Sequence, residues 1–365
     1  VPPYQSLPTL VSSTGNSAFF GDDGEIIGTT LDRAPNPDLK WEETEEFNVG
    51  LDFTASRFDG SFEVFQRTTT DLLFDIDVLP PSPNPTRLEN VGEVNNLGVE
   101  ATVDAFIIDQ DDLSITVGAN ISSIKNEVED LGGRAFLDHT SVNGAGQTGV
   151  DAQRLQEGHP IGAYHGPVFT GINDDGDETY RTADGGTTTE LENAEQTFIG
   201  NPVPDFSYGL NLRVQYQDFD LGAFFRGEHG KELFNNTALE FHTKSNLGQG
   251  INLLEGALTD GTNQSHVPVY SSRWIENASF FRLDKLTLGY TVPNASNFGL
   301  RRARVYATGQ NLFVITPYSG FDPEVNTNVT GVGLGFRNLA LPTRGVDYTS
   351  FPKSRSFTLG VEVGF

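Results

Sequence analysis

Apolar residues alternate with polar ones over segments of roughly ten residues, and this pattern returns about nine times along the chain. A period of two places successive side chains on opposite faces, which is typical of a strand with one apolar and one polar face. The clearest segment carries Phe206, Tyr208, Leu210, Leu212, Val214 and Tyr216. The other apolar sets span Phe47–Phe53, Phe58–Val64, Val99–Ala105, Leu113–Ile121, Leu221–Phe225, Leu286–Val292, Ala303–Ala307 and Phe357–Phe365.

The connections between these segments alternate between short and long. The short ones lie at Ser56–Arg57, Asp109–Asp112, Asp218 and Pro293–Phe298, and the long ones span Thr70–Leu97, Lys125–Asp205, His229–Ala278 and Leu312–Arg355. Transmembrane β-barrels have short turns at the periplasmic end and long extracellular loops. The pattern therefore predicts an all-β, antiparallel transmembrane barrel, with residues 1–40 in an outer loop and the C-terminus on the periplasmic side. A soluble β-sandwich with decorated loops is the structural alternative.

Composition restricts the class of protein further. The net charge is −27 with Lys+Arg 23 and Asp+Glu 50, which disfavours nucleic acid as a partner because phosphate contacts require basic residues. Only 36% of residues are hydrophobic, and the sequence has no run of about 18–20 apolar residues, the length that a membrane helix needs. A helical membrane protein is therefore excluded.

The residues that usually carry catalysis form no recognisable pattern. Cysteine is absent, so thiol catalysis, disulfides and Cys-ligated metals are excluded. The histidines all fall in predicted loops without paired metal spacing: His139, His159, His165, His229, His242 and His266. We therefore expect no enzyme activity, no cofactor and no bound metal.

One acidic segment loosely matches a calcium-binding loop. Asn173, Asp175 and Asp177 supply oxygen ligands at alternate positions, with Asp184 at the twelfth. The sixth position is Glu178, where such a loop needs a glycine for its sharp turn. The sequence leaves open whether the stretch Asn173–Glu178 binds calcium.

Charged residues inside the strand segments predict which face of each strand contacts water. Asp104 and Glu362 sit between apolar neighbours, and charge on a lipid face costs a few kcal/mol at the midplane, so we expect both to point into a polar interior. By the same alternation, Leu210, Leu212 and Val214 should face lipid, with Asn211 and Arg213 inward.

Seven stretches of the sequence resemble the SusC/RagA-like family of TonB-dependent transporters, which import oligosaccharides or peptides across the outer membrane of Bacteroidetes-type bacteria. They occur in the family's order and cover nearly the whole chain. The stretches are NPDLKWEETEEFNVGLDF (Asn36–Phe53), ENVGEVNNLGVEATV (Glu89–Val103), EGHPIGAYHGPVFTGI (Glu157–Ile172), IGNPVPDFSYGLN (Ile199–Asn211), WIENASFFRLDKLTLGYTVP (Trp274–Pro293), GQNLFVITPYSGFDPEV (Gly309–Val325) and YTSFPKSRSFTLGVEVGF (Tyr348–Phe365).

The resemblance implies a 22-stranded plugged barrel in the cell outer membrane, of which residues 1–365 supply about nine strands at the C-terminal end. The plug domain and the segment that contacts TonB would then precede Val1. Partners implied by the family are membrane lipid, TonB through the plug, a SusD-like surface lipoprotein, and an oligosaccharide or peptide ligand. Two alternatives from other classes stay open, a structural or adhesive outer-membrane barrel and a soluble β-rich binding module.

Particular residues carry two further expectations. Aromatic residues in the predicted loops are candidates for contacting a ligand, since sugars stack on aromatic rings: Tyr164, Phe169, Tyr270, Trp274 and Tyr318. The terminal Phe365 closes a period-2 strand and resembles the assembly signal of outer-membrane barrels. An unpaired strand edge is untenable in lipid, so the last strand must be held until the barrel closes.

Overall fold

The largest element of the structure is a nine-stranded antiparallel sheet, in which each strand pairs with the next of the nine along the chain. The computed structural model describes residues 6–7, 9–19, 25–78, 86–327 and 343–365. In chain order, strands β1 to β9 are Glu43–Ala55, Phe58–Thr70, Glu93–Asp109, Leu113–Asp130, Phe206–Tyr216, Phe219–His229, Phe280–Thr291, Arg302–Ile315 and Ser356–Gly364. Each predicted segment falls on one of these strands, so the all-β antiparallel prediction is confirmed.

The strand register sorts the two kinds of side chain onto two faces. Directly paired residues share a face, so rows of partners can be followed across the whole sheet. One apolar row crosses all nine strands through Ala55, Phe58, Ala105, Val117, Leu212, Ala223, Leu286, Gly309 and Phe357. The adjacent row on the other face consists of Thr54, Asp59, Asp104, Gly118, Asn211, Phe224, Lys285, Gln310 and Ser356. We call these the apolar face and the polar face.

Aromatic side chains mark both ends of the apolar face. Phe219 and Tyr290 lie near the short turns with ring centroids 4.8 Å apart, and Phe225 stacks on Phe281 at 5.4 Å nearer the long connections. On β5 the corresponding aromatics are Tyr208 and Tyr216, eight residues apart, or roughly 27 Å at about 3.4 Å per residue. This spacing is close to the ~25 Å apolar band between aromatic girdles that transmembrane barrels present to lipid.

A bulge in β7 reverses the facing of its residues. Phe224 pairs with Lys285 and Phe225 with Leu283, so Asp284 is an extra residue between them. Without it, Arg282 and Asp284 would share the apolar face with Leu286 by simple alternation. With it, Asp284 reaches Arg226 on the polar face, at 3.3 Å between carboxylate and guanidinium.

Several strands run further than the sequence pattern predicted. β3 and β4 have 17 and 18 residues, whereas about 9–11 suffice to cross a membrane. The predicted loop bounds Thr70–Leu97 and Lys125–Asp205 are therefore wrong at one end each, since residues 93–97 and 125–130 continue the strands. Backbone pairing between residues 93–97 and 125–130 needs no apolar alternation, which explains why the pattern missed it.

The short turns are confirmed at every predicted place, and the long connections carry secondary structure of their own. Their strands are Leu73–Asp77, Thr86–Asn90, Leu137–Ser141, Asp151–Leu155, Tyr164–Pro167, Phe169–Ile172, Glu178–Arg181, Thr187–Thr188, Gln196–Gly200, Glu232–Asn235, Ile275–Asn277 and Val346–Asp347. Helical segments are the α-helix Asn236–Phe241 and the 3-10 turns Leu191–Asn193, Lys244–Asn246, Glu255–Leu258, Ser272–Trp274 and, in the β7–β8 turn, Ala295–Phe298.

Residues 1–40, expected as an outer loop, contain an antiparallel pair formed by Thr9–Phe19 and Glu25–Ala34. Of the helices in the described residues, none has the length and apolar content to cross a membrane.

Candidate functional site

The long connections of the sheet pack against one another at the end opposite the short turns. We call their described residues, 71–78, 86–92, 131–205, 230–279, 316–327 and 343–355, the loop assembly. Its main apolar core joins three of these connections through Tyr164, Phe234, Tyr270, Trp274 and Val346. These three connections therefore form one packed body at this end of the sheet.

Four of the five loop aromatics singled out from the sequence lie inside this assembly. Tyr164, Tyr270, Trp274 and Tyr318 are each at most 5% exposed. Their polar atoms bind within the protein: the hydroxyls of Tyr164 and Tyr270 donate to the carbonyls of Gly345 and Ala152, each at 2.6 Å, Trp274 Nε1 donates to Val269 O, and the Tyr318 hydroxyl donates to Asp347. Their rings hold the assembly together, and Phe169 alone of the five is partly exposed. Ligand contact stays a prediction, and this geometry favours it at Phe169.

A buried ion-pair cluster connects two of the long connections. Arg273 donates to Glu178 and to Asp260, each at 2.6 Å, and Lys244 Nζ lies 2.9 Å from Asp260. The Glu178 carboxylate also accepts from the Tyr180 hydroxyl at 2.6 Å. We call Glu178, Arg273, Asp260 and Lys244 the buried ion cluster. Because each charge has an opposite partner, the cluster can stay ionised inside the protein.

The local environment sets the protonation of both carboxylates. Burial alone would raise the pKa of Glu178, but hydrogen bonds from His266 and Tyr180 and the charge of Arg273 lower it below its ordinary value. Burial likewise opposes ionisation of Asp260, yet hydrogen bonds from Thr262, Lys244 and Arg273 hold its pKa well below the usual range. Both carboxylates are therefore charged at neutral pH.

A second ion-pair cluster ties the loop assembly to the polar face. Arg282 of β7 is 1% exposed and lies 2.7 Å from Asp322 and 2.9 Å from Glu324. Glu324 also pairs with Arg226 of β6 and with Lys353. The segment 321–325 is thereby fastened across two strands. Arg282 belongs to the motif stretch FFRLDKLTLGY and Asp322 and Glu324 to GFDPEV, so the structure brings these two stretches into direct contact.

A cleft of about 460 Å³ opens on the loop assembly. Its polar wall contains Asp138, Asp151, Arg154 and His165, and its other lining residues include Val150, Pro167, Leu191, Gln196 and Val269. Arg154 Nε and Nη2 donate to the two carboxylate oxygens of Asp138 at 2.7 and 2.9 Å, and Nη1 lies 3.2 Å from His165 Nε2. The guanidinium also stacks over Phe136 at 3.6 Å. Arg154 is thus fixed on three sides.

The acidic segment Asn173–Glu178 forms a hairpin turn between Phe169–Ile172 and Glu178–Arg181. Asn173 Oδ1 accepts from the backbone N–H groups of Asp175 and Asp177, and Gly176 has a φ of 81°. Glu178, at the position that departs from a calcium loop, belongs to the buried ion cluster. Within the described ranges, no group of three or more His, Asp or Glu side chains is arranged to hold a metal ion.

The polar face carries the charged residues expected there. Asp104 lies beside Gly118 and Asn211, and Glu362 lies 3.9 Å from Arg304, which binds Asp220 of β6. The structure therefore places both predicted carboxylates on the polar face. Leu210, Leu212 and Val214 lie on the apolar face, and Asn211 and Arg213 lie on the polar face, as their row partners show.

Sequence reasoning missed the two arginines around which these ion pairs form. Arg273 and Arg282 each sit next to aromatics, in the stretches SRW and FFR, and both form their ion pairs with residues distant in the sequence. A positive charge inside an apolar stretch is the available signal, because such a charge requires a buried partner. The identity of the partner depends on the tertiary fold.

Phe365, the predicted assembly residue, follows the end of β9 and is 81% exposed.

Comparison with known proteins agrees with this architecture. A family model described as TonB dependent receptor-like, beta-barrel matches residues 6–312. The TonB-dependent receptor P3 of Formosa agariphila is 29% identical over 100% of this chain, which covers 38% of that protein. The TonB-dependent receptor SusC of Bacteroides thetaiotaomicron is 27% identical over 99% of this chain, covering 36% of that protein.

Among solved structures, the RagAB peptide transporter superposes with a TM-score of 0.80 at 25% identity, over 99% of this chain and 39% of that chain. The chain thus spans less than two fifths of the length of the relatives it matches. The resemblance identified from the sequence motifs is confirmed, since the related proteins include both SusC and a RagAB chain.

Proposed function

Because this chain belongs to the TonB-dependent receptor-like β-barrel family, we propose that it forms part of the wall of an outer-membrane nutrient importer. The apolar face meets lipid, the polar face lines the lumen, and the loop assembly forms part of the vestibule on the outer side. The chain supplies this structure and no catalysis. Residues 1–365 are one partial barrel domain in this proposal, with the plug elsewhere in the full-length protein.

One observation carries the proposal: the sheet has an apolar face between two aromatic bands, and all its long connections lie at one end. A soluble sheet would need a protein layer over that apolar face, because large exposed apolar patches are rare on soluble monomers. On β9, Phe357 and Leu359 are 75% and 85% exposed, and their row partners continue this surface across the sheet. Lipid is the solvent that suits such a face.

The sheet has two open edges, and these support the proposal that the barrel wall continues in the same protein. β1 and β9 each have a free edge in the described structure. An unpaired backbone group in lipid costs several kcal/mol, so each edge requires a further strand. Further strands of the full-length protein would close the barrel on both sides.

The relatives suggest the energy source, the partner and the cargo. The receptors P3 and SusC are TonB-dependent, and RagAB is a peptide transporter. For this protein we propose TonB-driven import, a SusD-like surface lipoprotein over the loop assembly, and an oligosaccharide or peptide as cargo. Import demands that cargo cross a water-lined path, which the polar face with Asp59, Asp104 and Arg213 would provide.

Deletion of the gene in its native host tests the proposal. Uptake of labelled oligosaccharide and peptide mixtures should fall for at least one cargo, and deletion of tonB should abolish the uptake of that same cargo. Retention of all uptake with a loss of surface attachment would show an adhesive barrel instead. Release of the full-length protein from membranes without detergent would show a soluble module.

A further inference from the structure

A groove lies on the apolar face at its outer end, where strands β5 to β8 approach the long connections. It follows one row of cross-strand partners: Tyr208, Gly227, Phe281 and Ile315. Its volume of about 510 Å³ lies within the ~300–1,000 Å³ of small-molecule pockets. We propose that the groove binds one acyl chain of a diacyl membrane lipid as a resident ligand. This rests on the proposed function, in which the apolar face meets lipid.

A glycine makes room for the groove. A Cβ at Gly227 would lie 2.5 Å from the Tyr208 ring, so no side chain fits at this position of β6. The Tyr208 ring leans over Gly227 instead, in the close approach that a glycine within a strand allows. On the next strand, the Phe281 ring is nearly parallel to the Tyr208 ring, with centroids 6.4 Å apart and 15° between their planes. Two aligned rings therefore face the groove from neighbouring strands.

Further rings hold these two in place. Phe206 contacts the rings of Tyr208 and His229, with centroids 6.1 and 5.1 Å apart. Phe225 stacks on Phe281 at 5.4 Å with 6° between the planes. Side chains that are already fixed by their neighbours lose little entropy when a ligand binds. The walls are thus ready for an apolar chain that lies along the ring faces.

The end of the groove nearest the long connections is polar. Ser279 Oγ accepts from the N–H of Gly230 at 3.0 Å, which leaves its own proton to donate. The Tyr208 hydroxyl takes no hydrogen bond within the described part of the chain, and His229 is exposed. Donors therefore lie at the mouth of an apolar groove. The ester carbonyls of a diacyl lipid are acceptors that join the chains to the headgroup, so they match this arrangement.

The surroundings of the groove favour lipid over a charged protein segment. The carboxylate of Glu228, at the polar end, is paired with Lys231 at 3.0 Å and so offers no uncompensated charge to a partner. Toward the short turns, the next row begins at Leu210 and ends at Phe313, which are 39% and 38% exposed. A chain that enters from the polar end therefore stays on apolar surface as it runs toward the middle of the sheet.

Filling the groove is the first test. Full-length protein is placed in nanodiscs of diester phosphatidylethanolamine, and native mass spectrometry counts the lipids that stay bound after release. Ile315→Trp should lower the count by one, because an indole at this exposed position occupies the groove. Val305→Trp is the matched control, since Val305 is an exposed residue on the apolar face of the same strand near the short turn. Both changes keep an apolar side chain, so both variants should insert normally.

The hydroxyl at the mouth is tested separately. Tyr208→Phe keeps the ring and removes the donor, and it should weaken binding of the diester lipid about five- to tenfold, the loss expected for one ligand hydrogen bond. A diether phosphatidylethanolamine lacks both carbonyls, so it should bind wild type more weakly by a similar factor and bind Tyr208→Phe as it binds wild type. Tyr216→Phe is the control at the turn end of β5 and should change neither affinity.

Equal lipid counts for wild type and Ile315→Trp would overturn the inference, and so would an equal loss in Val305→Trp, which would make retention a general property of the apolar face. A wild-type dimer without bound lipid that Ile315→Trp separates would overturn it in favour of a second copy of the chain. Equal affinity of wild type for the diester and diether lipids would overturn the match between the carbonyls and the polar end.

Extraction separates this inference from the proposed function. If the full-length protein leaves membranes only with detergent but keeps no lipid in the groove, the inference fails and the barrel wall stands. If the protein is released without detergent, the proposed function itself fails.

Discussion

The nine-stranded sheet and the loop assembly treat apolar side chains in opposite ways. On β9, Leu359 is 85% exposed, and its row partner Ala307 belongs to the same open face. In the loop assembly, Leu239 and Phe234 are completely buried within the protein. A single chain therefore contains an exposed apolar surface that suits lipid and a buried apolar core like that of a water-soluble protein.

The difference also extends to charge. The buried ion cluster and the Arg282 cluster lie in or beside the loop assembly, where buried charges are matched by opposite charges. On the sheet, the pair Arg67–Glu46 has about half of its side-chain surface exposed, so it is screened by water and contributes little. Away from its contact with the loop assembly, the sheet depends on ladder hydrogen bonds, whereas the loop assembly depends on internal packing and buried pairs.

Removing Phe365, the aromatic residue that follows β9, should produce the largest effect. Deleting Phe365 from the full-length protein should leave several-fold less inserted barrel at unchanged synthesis, because β9 would no longer be held until its free edge pairs. Quantitative immunoblots of outer-membrane and total fractions measure this. Phe351→Ala is the control, since Phe351 is also strongly exposed but lies outside any strand. Normal insertion without Phe365 would reduce it to one more apolar surface residue.

The next largest effect should come from opening the buried ion cluster. Arg273→Ala leaves Glu178 and Asp260 without their shared partner and should destabilise the loop assembly by about 3–5 kcal/mol. Protease sensitivity of residues 131–205 and 230–279 in intact cells would report it. Arg67→Ala should change stability by less than about 1 kcal/mol. Equal effects at the two sites would contradict the contrast between buried and screened pairs.

Truncating one leucine in each region tests whether its side chain is surrounded by protein or by lipid. Leu239→Ala should cost about 2–5 kcal/mol, because a buried cavity is created inside protein. Leu359→Ala should cost far less, since mobile lipid fills the vacated space. Denaturant titrations of the full-length protein in vesicles, followed with a reporter in each region, can compare them. A larger cost at Leu359 would place β9 inside a protein core.

The two faces of β5 can be separated by one substitution each. Leu212→Arg should cost about 2–4 kcal/mol if the residue lies near the bilayer midplane, whereas Asn211→Arg on the polar face should cost much less. Refolding into lipid vesicles at increasing urea concentration gives both values. Similar tolerance at the two positions would remove the lipid assignment of this strand.

Acid should loosen the loop assembly before the sheet. Burial, opposed only in part by Asp138, lowers the pKa of His139 to about 4, from an ordinary value near 6.5. A depressed histidine pKa stabilises the fold fully above pH ~6.5, and this contribution is lost as pH falls toward 4, by about 1.4 kcal/mol per unit. At pH 5 the loss should be about 2 kcal/mol. Protease sensitivity between pH 7 and 5 should rise in wild type and rise less in His139→Gln, and identical profiles would exclude His139 as the cause.

The sheet was predictable from the sequence because its side-chain period is local. Alternation located all nine strands, and the short turns followed from the spacing between them. The extensions at residues 93–97 and 125–130 were not predictable, since backbone pairing continues there without an apolar stripe. The facing of Arg282 and Asp284 was also hidden, because one bulged residue reverses the alternation inside β7.

The loop assembly was much less predictable. Tyr164, Tyr270, Trp274 and Tyr318 read as exposed loop aromatics, since no local pattern shows that segments far apart in sequence close over them. The cleft arises for the same reason. Asp138, Arg154 and His165 come together only through the pairing of three short strands.

The bulge at Asp284 also bears on how such proteins diverge. Adding or losing one residue within a strand moves every side chain from that point to the next turn onto the other face of the sheet. In lipid this would place polar side chains on the apolar face, so selection acts against it. In β7 the displaced residue lies toward the long connection, so residues 285–290 keep their register with β6 down to the short turn. Length variation can therefore accumulate at the outer end of a strand while the turn end stays fixed. Members of this family can in this way change the parts of the protein at the outer ends of the strands without changing the barrel wall at the turn ends.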